Sequence, residues 1–140
     1  MTTQPASPPP TLDYQRLAVA RTALTRFQRQ GEERARELGL THAQYHLLLV
    51  VHTHAGFPPG VGHVARQLSL RQHSAAELID RASTAGYVHR APHPSDGRRV
   101  QLHLSALAQE HLAVLCPPQL DDLDHLLNAL DDEPTGRPPQ

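Results

Sequence analysis

The sequence predicts a mainly α-helical protein with a small β wing (α+β), built as a winged helix-turn-helix flanked by N- and C-terminal helices. Three observations lead to this fold class. Between residues 65 and 105, the patterns of a short helix, a turn, a second helix and two short strands follow one another. The second helix carries an apolar stripe with the i, i+3, i+4, i+7 spacing of an α-helix, formed by Ala75, Leu78, Ile79 and Ala82. In the last strand, apolar and polar residues alternate, which predicts one buried face, formed by Val100, Leu102 and Leu104.

The segment between the two strands is predicted to be a loop. Pro92, Pro94 and Gly97 exclude regular structure there. The loop ends in Arg98 and Arg99. A hairpin tip with paired arginines beside an exposed helix suits a DNA duplex, because the helix fits the major groove and the tip reaches a neighbouring groove or phosphates.

Two helices are predicted before this segment. The first, about residues 11–38, starts at Thr11 or Asp13 and ends at Gly39. It carries a narrow apolar seam at 3-4-3 spacing, formed by Leu17, Ala20, Leu24 and Phe27. Thr41 and Gln44 form a capping box that starts the next helix. The apolar run over residues 47–51 makes that helix the central buried one, and residues 54–60 are predicted to end it and form a loop.

After the wing, Ser105 can cap a further helix. Pro117 and Pro118 are predicted to break or kink it, because proline lacks the amide hydrogen and clashes with the preceding turn. Beyond them lies a leucine seam at 3-4-3 spacing, formed by Leu120, Leu123, Leu127 and Leu130. Two interpretations stay open: the seam folds back on its own subunit, or it packs against the first helix of a partner.

Composition and charge agree with one DNA-binding domain. The chain has 140 residues, one cysteine and therefore no internal disulfide. It has no apolar run of transmembrane or signal-peptide type, which predicts a cytoplasmic protein with no membrane partner. The net charge of −1 is segregated: residues 63–99 hold six arginines and three acids, whereas residues 117–140 hold six acids and one arginine. Such segregation is expected if one end faces phosphate. Residues 1–10 and 133–140 are predicted to be disordered tails.

The ordered set of motifs resembles the DNA-binding core of the MarR family of bacterial transcription regulators, over roughly residues 38–115. The wing motif of that family is Asp-x-Arg, three residues, an aliphatic residue, one residue, and Leu-Thr or Leu-Ser; here it runs from Asp96 to Ser105 with each position filled. Residues 40–49 (LTHAQYHLLL) resemble the family's second helix. Residues 78–81 (LIDR), followed by Gly86, Tyr87 and Val88, resemble the end of its recognition helix.

The resemblance implies a domain over residues 11–132, with a DNA-binding lobe at about 58–105 and dimerisation helices at about 11–38 and 106–132. It implies a homodimeric repressor that binds a near-palindromic operator in double-stranded DNA and is released by a small-molecule effector. The effector would bind between the dimer helices and the lobe, where candidate lining residues are Tyr14, Arg16, Tyr45 and His46.

Side-chain chemistry selects the candidate DNA contacts. Glutamine can read adenine, and arginine or histidine can take guanine or phosphate. On the recognition helix the candidates are Arg71, Gln72, His73, Ser74, Glu77 and Arg81. On the wing, Arg98 matches the family arginine that enters the minor groove, and Arg90 and Arg99 are expected to contact phosphates. Asp96 and Gly97 are assigned structural roles, with Asp96 holding Arg98 through an ion pair.

Two alternatives remain. One is a metal- or redox-sensing regulator of the same fold, for which His42 and His46, at i and i+4, are weak zinc candidates and Cys116 a weak redox candidate. The other is a winged-helix protein-interaction module that does not bind DNA. Neither a phosphate-cradling glycine loop, nor a nucleophile elbow, nor a cysteine–histidine pair at recognisable spacing is present, so we expect no enzyme and no cofactor.

Overall fold

The computed structural model describes residue 3, residues 6–54 and residues 58–132 of the chain. Within them, five helices and one two-stranded antiparallel sheet follow one another as α1 (Thr11–Glu37), α2 (His42–Thr53), α3 (Val61–Leu68), α4 (Gln72–Thr84), β1 (Val88–Pro92), β2 (Val100–Leu104) and α5 (Ala106–Asp131). This order confirms the predicted mainly α fold with a β wing. Residue 3 and residues 6–10 have no regular structure; the rest of the first predicted tail, all of the second, and residues 55–57 of the predicted loop lie outside the described residues.

The chain forms two compact units. One, which we call the winged-helix lobe, comprises residues 31–117; the other, the helical unit, comprises the described parts of residues 1–30 and 118–140. Each of the helices α1 and α5 has one end in the winged-helix lobe and the other end in the helical unit.

Helix α2 is the centre of the lobe, as the apolar run predicts. Leu47 and Leu48 are fully buried in one core cluster with Val64, Ile79 and Leu102. The predicted capping box is present: the Thr41 hydroxyl accepts from the Gln44 amide at 3.1 Å, and the Gln44 side chain accepts from the Thr41 amide at 3.0 Å. These two bonds satisfy donors that would otherwise be left open at the start of α2.

A tight turn at Ser69 joins α3 to α4. Ser69 adopts a left-handed conformation with φ of 54°, and the Leu70 amide donates to the Ala65 carbonyl at 2.9 Å. The turn therefore ends α3 and lets α4 start at Gln72. The apolar stripe of α4 faces the core as predicted, since Ala75, Ile79 and Ala82 are fully buried and Leu78 packs against them half-buried.

The wing departs from the predicted pattern at the start of β2. Val100 is 38% exposed, whereas Gln101, expected to point outward, is only 5% exposed. The segment at Pro59 and Gly60 lies against this strand: the Leu102 amide donates to the Pro59 carbonyl at 2.9 Å, and a Cβ at Gly60 would lie 3.2 Å from the Val100 carbonyl. A two-residue alternation does not encode this neighbour. Pro92 also belongs to β1, where it pairs with Val100, and not to the loop.

The predicted break at the two prolines does not occur. Helix α5 runs through Pro117 and Pro118 to Asp131. Each proline removes one helical amide donor, from the carbonyls of Ala113 and Val114. Both of these residues are exposed, so water can take the place of the missing donors.

Both predicted seams remain largely uncovered in the single chain. On α1, Leu17 is 63% and Leu24 is 44% exposed, and on α5, Leu127 is 53% exposed. Leu120 and Leu130 are also exposed, whereas Leu123 is half-buried. Leu126, which the predicted seam did not include, is buried instead.

Candidate nucleic-acid interface

One face of α4 is free of the core and polar. Because the buried stripe occupies Ala75, Ile79 and Ala82, the residues on the opposite side turn to solvent. The predicted recognition residues lie on this side: Arg71, Gln72, His73, Glu77 and Arg81 are exposed and Ser74 is half-buried. Arg71 is the N-cap residue and forms no side-chain capping bond, so its guanidinium is not used to close the helix. A helix with such a face can offer hydrogen-bonding groups to base edges.

The wing is joined to α4 by an ion pair. Arg90 Nη1 on β1 lies 2.6 Å from Asp80 Oδ1 on α4. Arg90 was predicted as a phosphate contact, which stays a prediction; in the structure its guanidinium pairs with Asp80. Asp80 therefore contacts the wing. The pair was not predicted, although Asp80 on the open face of α4 and Arg90 near the start of the following strand were signals for it.

The tip of the wing is a turn stabilised by Asp96. One carboxylate oxygen accepts from the Arg98 backbone amide at 3.1 Å, and the Asp96 carbonyl accepts from the Arg99 amide at 3.0 Å. The predicted ion pair between Asp96 and the Arg98 side chain is wrong: the other carboxylate oxygen faces Arg99 Nε, at 4.0 Å. Asp96 thus shapes the turn through the backbone and leaves the Arg98 side chain exposed.

Gly97 has a smaller role than the sequence suggested. A Cβ at this position would meet no heavy atom within 4 Å, and its φ lies outside the left-handed range. The turn therefore accommodates a side chain there.

The four candidate effector residues differ in their surroundings. Tyr45 is 6% exposed and belongs to the core cluster of the lobe. His46 is exposed on α2, and Tyr14 is exposed on α1. In the helical unit a cavity of about 610 Å³ is lined by Asp13, Arg16, Leu17 and Ala20 from α1 and by Ala129 and Leu130 from α5. Of the four candidates, only Arg16 lines it.

Metal-binding candidates do not come together in the part of the chain that the structure describes. There, no group of three or more His, Cys, Asp or Glu side chains is placed to hold a metal ion. Burial lowers the pKa of His46, and the neighbouring His42 lowers it further. Cys116 is exposed on α5. No helix among the described residues is both long and apolar enough to span a membrane.

Two pairs of histidine rings are in contact in the lobe, and the sequence did not predict either pair. His89 and His103 are cross-strand partners. Their rings stack with centroids 5.2 Å apart. His54 meets His63 edge to face at 4.2 Å. The first contact follows from the strand register, which the sequence does not fix; the second joins two residues from different segments.

Comparisons with known proteins agree with this geometry. The sequence profile of the MarR family matches residues 38–99. No curated protein matches the sequence. The fold is similar to AbsC, a MarR family transcriptional regulator from Streptomyces coelicolor, with a TM-score of 0.74 at 17% identity over 88% of this chain and 84% of AbsC. It is also similar to a mutant MarR from E. coli in complex with operator DNA, with a TM-score of 0.60 at 18% identity over 82% of this chain and 90% of that one.

Proposed function

We propose that this chain, a winged-helix protein of the MarR family, is a sequence-specific DNA-binding transcription regulator. The family's transcription-regulator fold supports DNA-binding transcriptional regulation as the general function. In the more specific form of the proposal the protein is a homodimeric repressor that a small-molecule effector releases from its operator.

The observation that carries the proposal is the arrangement of α4 and the wing. The Asp80–Arg90 ion pair holds the first wing strand beside the exposed face of α4. Arg71, Gln72 and His73 stand at the start of that face, where a recognition helix contacts base edges. Arg98 and Arg99 are exposed at the wing tip. The lobe thus offers polar groups that could read bases on α4 and cationic groups at the wing tip.

The exposed seams support the homodimer. Leu17, Leu24 and Leu127 are large apolar side chains left at the surface of a single chain. Covering them with a second copy would remove apolar area from water, at about 25 cal/mol per Å². Two recognition helices related by a two-fold axis require a near-palindromic operator, with half-sites centred about 10 base pairs apart.

The effector would bind in the cavity of the helical unit. The cavity of about 610 Å³ in the helical unit is lined by apolar side chains, by Arg16, and by the three acids Asp13, Asp131 and Asp132. An effector there would meet one guanidinium among three carboxylates, so Arg16 is the group that could contact an anionic part of it. A ligand that releases DNA must bind the DNA-incompetent state more tightly than the competent one.

Fluorescence anisotropy with labelled duplexes tests the proposal. We expect the purified protein to bind DNA from upstream of its own gene more tightly than a scrambled duplex of equal length. The affinity should fall steeply with salt, because phosphate contacts release counterions. Arg98→Ala should weaken binding to the selected duplex. Equal, weak binding to both duplexes, unchanged in Arg98→Ala, would contradict the proposal and favour the protein-interaction module.

A further inference from the structure

We propose that a histidine-lined cavity in the winged-helix lobe binds a small aliphatic carboxylate. The cavity has a volume of about 240 Å³ and lies between the end of α2, strand β2 and the start of α5. It is separate from the recognition face of α4 and from the cavity in the helical unit, because none of its lining residues belongs to either. The proposal concerns the free protein and does not depend on DNA binding.

Hydrogen-bonding side chains from several segments converge on this cavity. His52 comes from the last turn of α2, His54 from its C-cap, His103 from β2 and Gln109 from the first turns of α5. Imidazole and carboxamide groups donate N–H to oxygen acceptors. Among the described residues that line the cavity, none is acidic. A set of N–H donors without a carboxylate favours an anionic ligand over a cationic one.

His54, which lines the cavity, has a buried polar atom that a ligand could satisfy. Its Nδ1 atom is buried and has no hydrogen-bond partner among the residues that the structure describes, which exclude 55–57. A buried polar atom without a partner destabilises the fold, so such atoms are rare unless a ligand, ion or water satisfies them. The ring packs edge to face against His63, with centroids 4.2 Å apart.

The size and the floor of the cavity narrow the class of ligand. Most of the lining surface is polar, and Leu104 and Pro58, both half-buried, supply its apolar part beside the buried Val51 and Leu102. The volume is smaller than the roughly 300–1,000 Å³ of sites for drug-sized ligands. The occupant should therefore combine one carboxylate with a short apolar body, as a branched five-carbon acid does.

The position of His103 gives the site a mechanical consequence. Its ring stacks on His89 of β1 at 5.2 Å, so it bridges the cavity and the base of the wing. A carboxylate bonded to both His103 and His52 would tie β2 to the end of α2.

Histidine-selective NMR on the full chain tests the site, with isovalerate as the probe and isovaleramide as its uncharged isostere. At fixed pH and ionic strength, isovalerate should shift the ring signals of His52, His54 and His103 along one saturable curve. Isovaleramide should not. His42 and His73 are exposed and lie outside the cavity, so their rings report non-specific effects of added carboxylate.

Two variants locate the binding. Gln109→Leu removes a donor from an exposed position of α5, where the fold tolerates the change. His103→Phe removes the imidazole donor and keeps an aromatic ring against His89. Each should weaken isovalerate binding about tenfold, the loss expected for one hydrogen bond to a charged group, whereas His42→Phe should leave it unchanged. Shifts that do not saturate, that isovaleramide reproduces, or that survive in both variants would overturn the proposal.

Discussion

Asp80 and Arg90 join α4 to the wing, with Asp80 Oδ1 2.6 Å from Arg90 Nη1. The pair is partly exposed, at 61% for the Asp80 side chain and 38% for that of Arg90. An exposed pair stabilises a fold by under about 1 kcal/mol. The main contribution of this ion pair is therefore to position the wing beside α4.

Replacing Asp80 should change DNA affinity through two effects of opposite sign. Removal of a carboxylate near phosphate reduces repulsion and by itself would tighten DNA binding. Loss of the ion pair with Arg90 frees the wing, which should weaken DNA binding. We expect Asp80→Asn to bind the operator several-fold more weakly in anisotropy measurements, with a melting temperature close to that of the wild type. Glu110→Gln on α5 removes the same charge at another exposed position and is the matched control. Tighter binding by Asp80→Asn would show that freeing Arg90 for phosphate outweighs positioning.

The two arginines at the wing tip should differ in what they contribute. The Arg98 side chain is exposed, while Arg99 faces Asp96 at 4.0 Å. Arg98→Ala should cost about 1–3 kcal/mol and relax sequence preference if Arg98 reads a groove, whereas Arg99→Ala should lower the slope of log K against log salt by about 1. Competition with variant duplexes across a salt series measures both quantities. The same uniform loss in both variants would assign both arginines to phosphate.

Local patterns in the sequence predicted much of the fold. The capping box at Thr41 and Gln44 and the stripe that includes Ala75 and Ile79 depend on residues within two turns, and both formed as expected. Burial of Gln101 depends on the segment at Pro59, about forty residues away along the chain. A two-residue alternation contains no information about such a neighbour.

The same distinction applies to the candidate site. Exposure of the polar face of α4 follows from the stripe, so candidate recognition residues could be selected from the sequence. The partners of Arg90 and Asp96 could not, because they depend on how β1 lies beside α4 and how the tip folds. Charge type alone paired Asp96 with Arg98, whereas the turn brings its carboxylate to the Arg98 backbone amide.

Acid should destabilise the winged-helix lobe through its histidines. Burial lowers the pKa of His63, with further lowering by His54 and Arg66, and burial and His42 lower that of His46. A base with a lowered folded-state pKa binds fewer protons in the folded than in the unfolded state. Stability is therefore complete above the unfolded pKa of about 6.5 and falls as the pH decreases below it. Urea unfolding at several pH values should show a shallower fall in His63→Gln and in His46→Gln than in the wild type. If the free energy of unfolding falls equally with decreasing pH in all three proteins, these two histidines are not the cause of the acid destabilisation.

Disrupting the exposed seam should separate the subunits without unfolding the chain. Leu127 is 53% exposed, so Leu127→Glu should leave the helical content of the single chain nearly unchanged. If the seam is the dimer interface, a buried unpaired carboxylate there should shift the protein to monomer in sedimentation measurements and weaken operator binding. Asn128→Glu adds the same charge at the next exposed residue and should leave the dimer intact. An unchanged sedimentation profile for Leu127→Glu would place the interface elsewhere.

The prolines of α5 offer a test of helix continuity. If the helix runs through residue 117, Pro117→Ala restores an amide hydrogen and relieves the clash with the preceding turn, and the free energy of unfolding should rise by up to about 3 kcal/mol. Pro94→Ala, in the exposed wing loop, should act in the opposite direction by under about 1 kcal/mol, because it only adds freedom to the unfolded chain. Chemical denaturation of both variants measures the contrast. Equal small losses would mean that α5 is interrupted at the prolines in solution, as the sequence alone suggested.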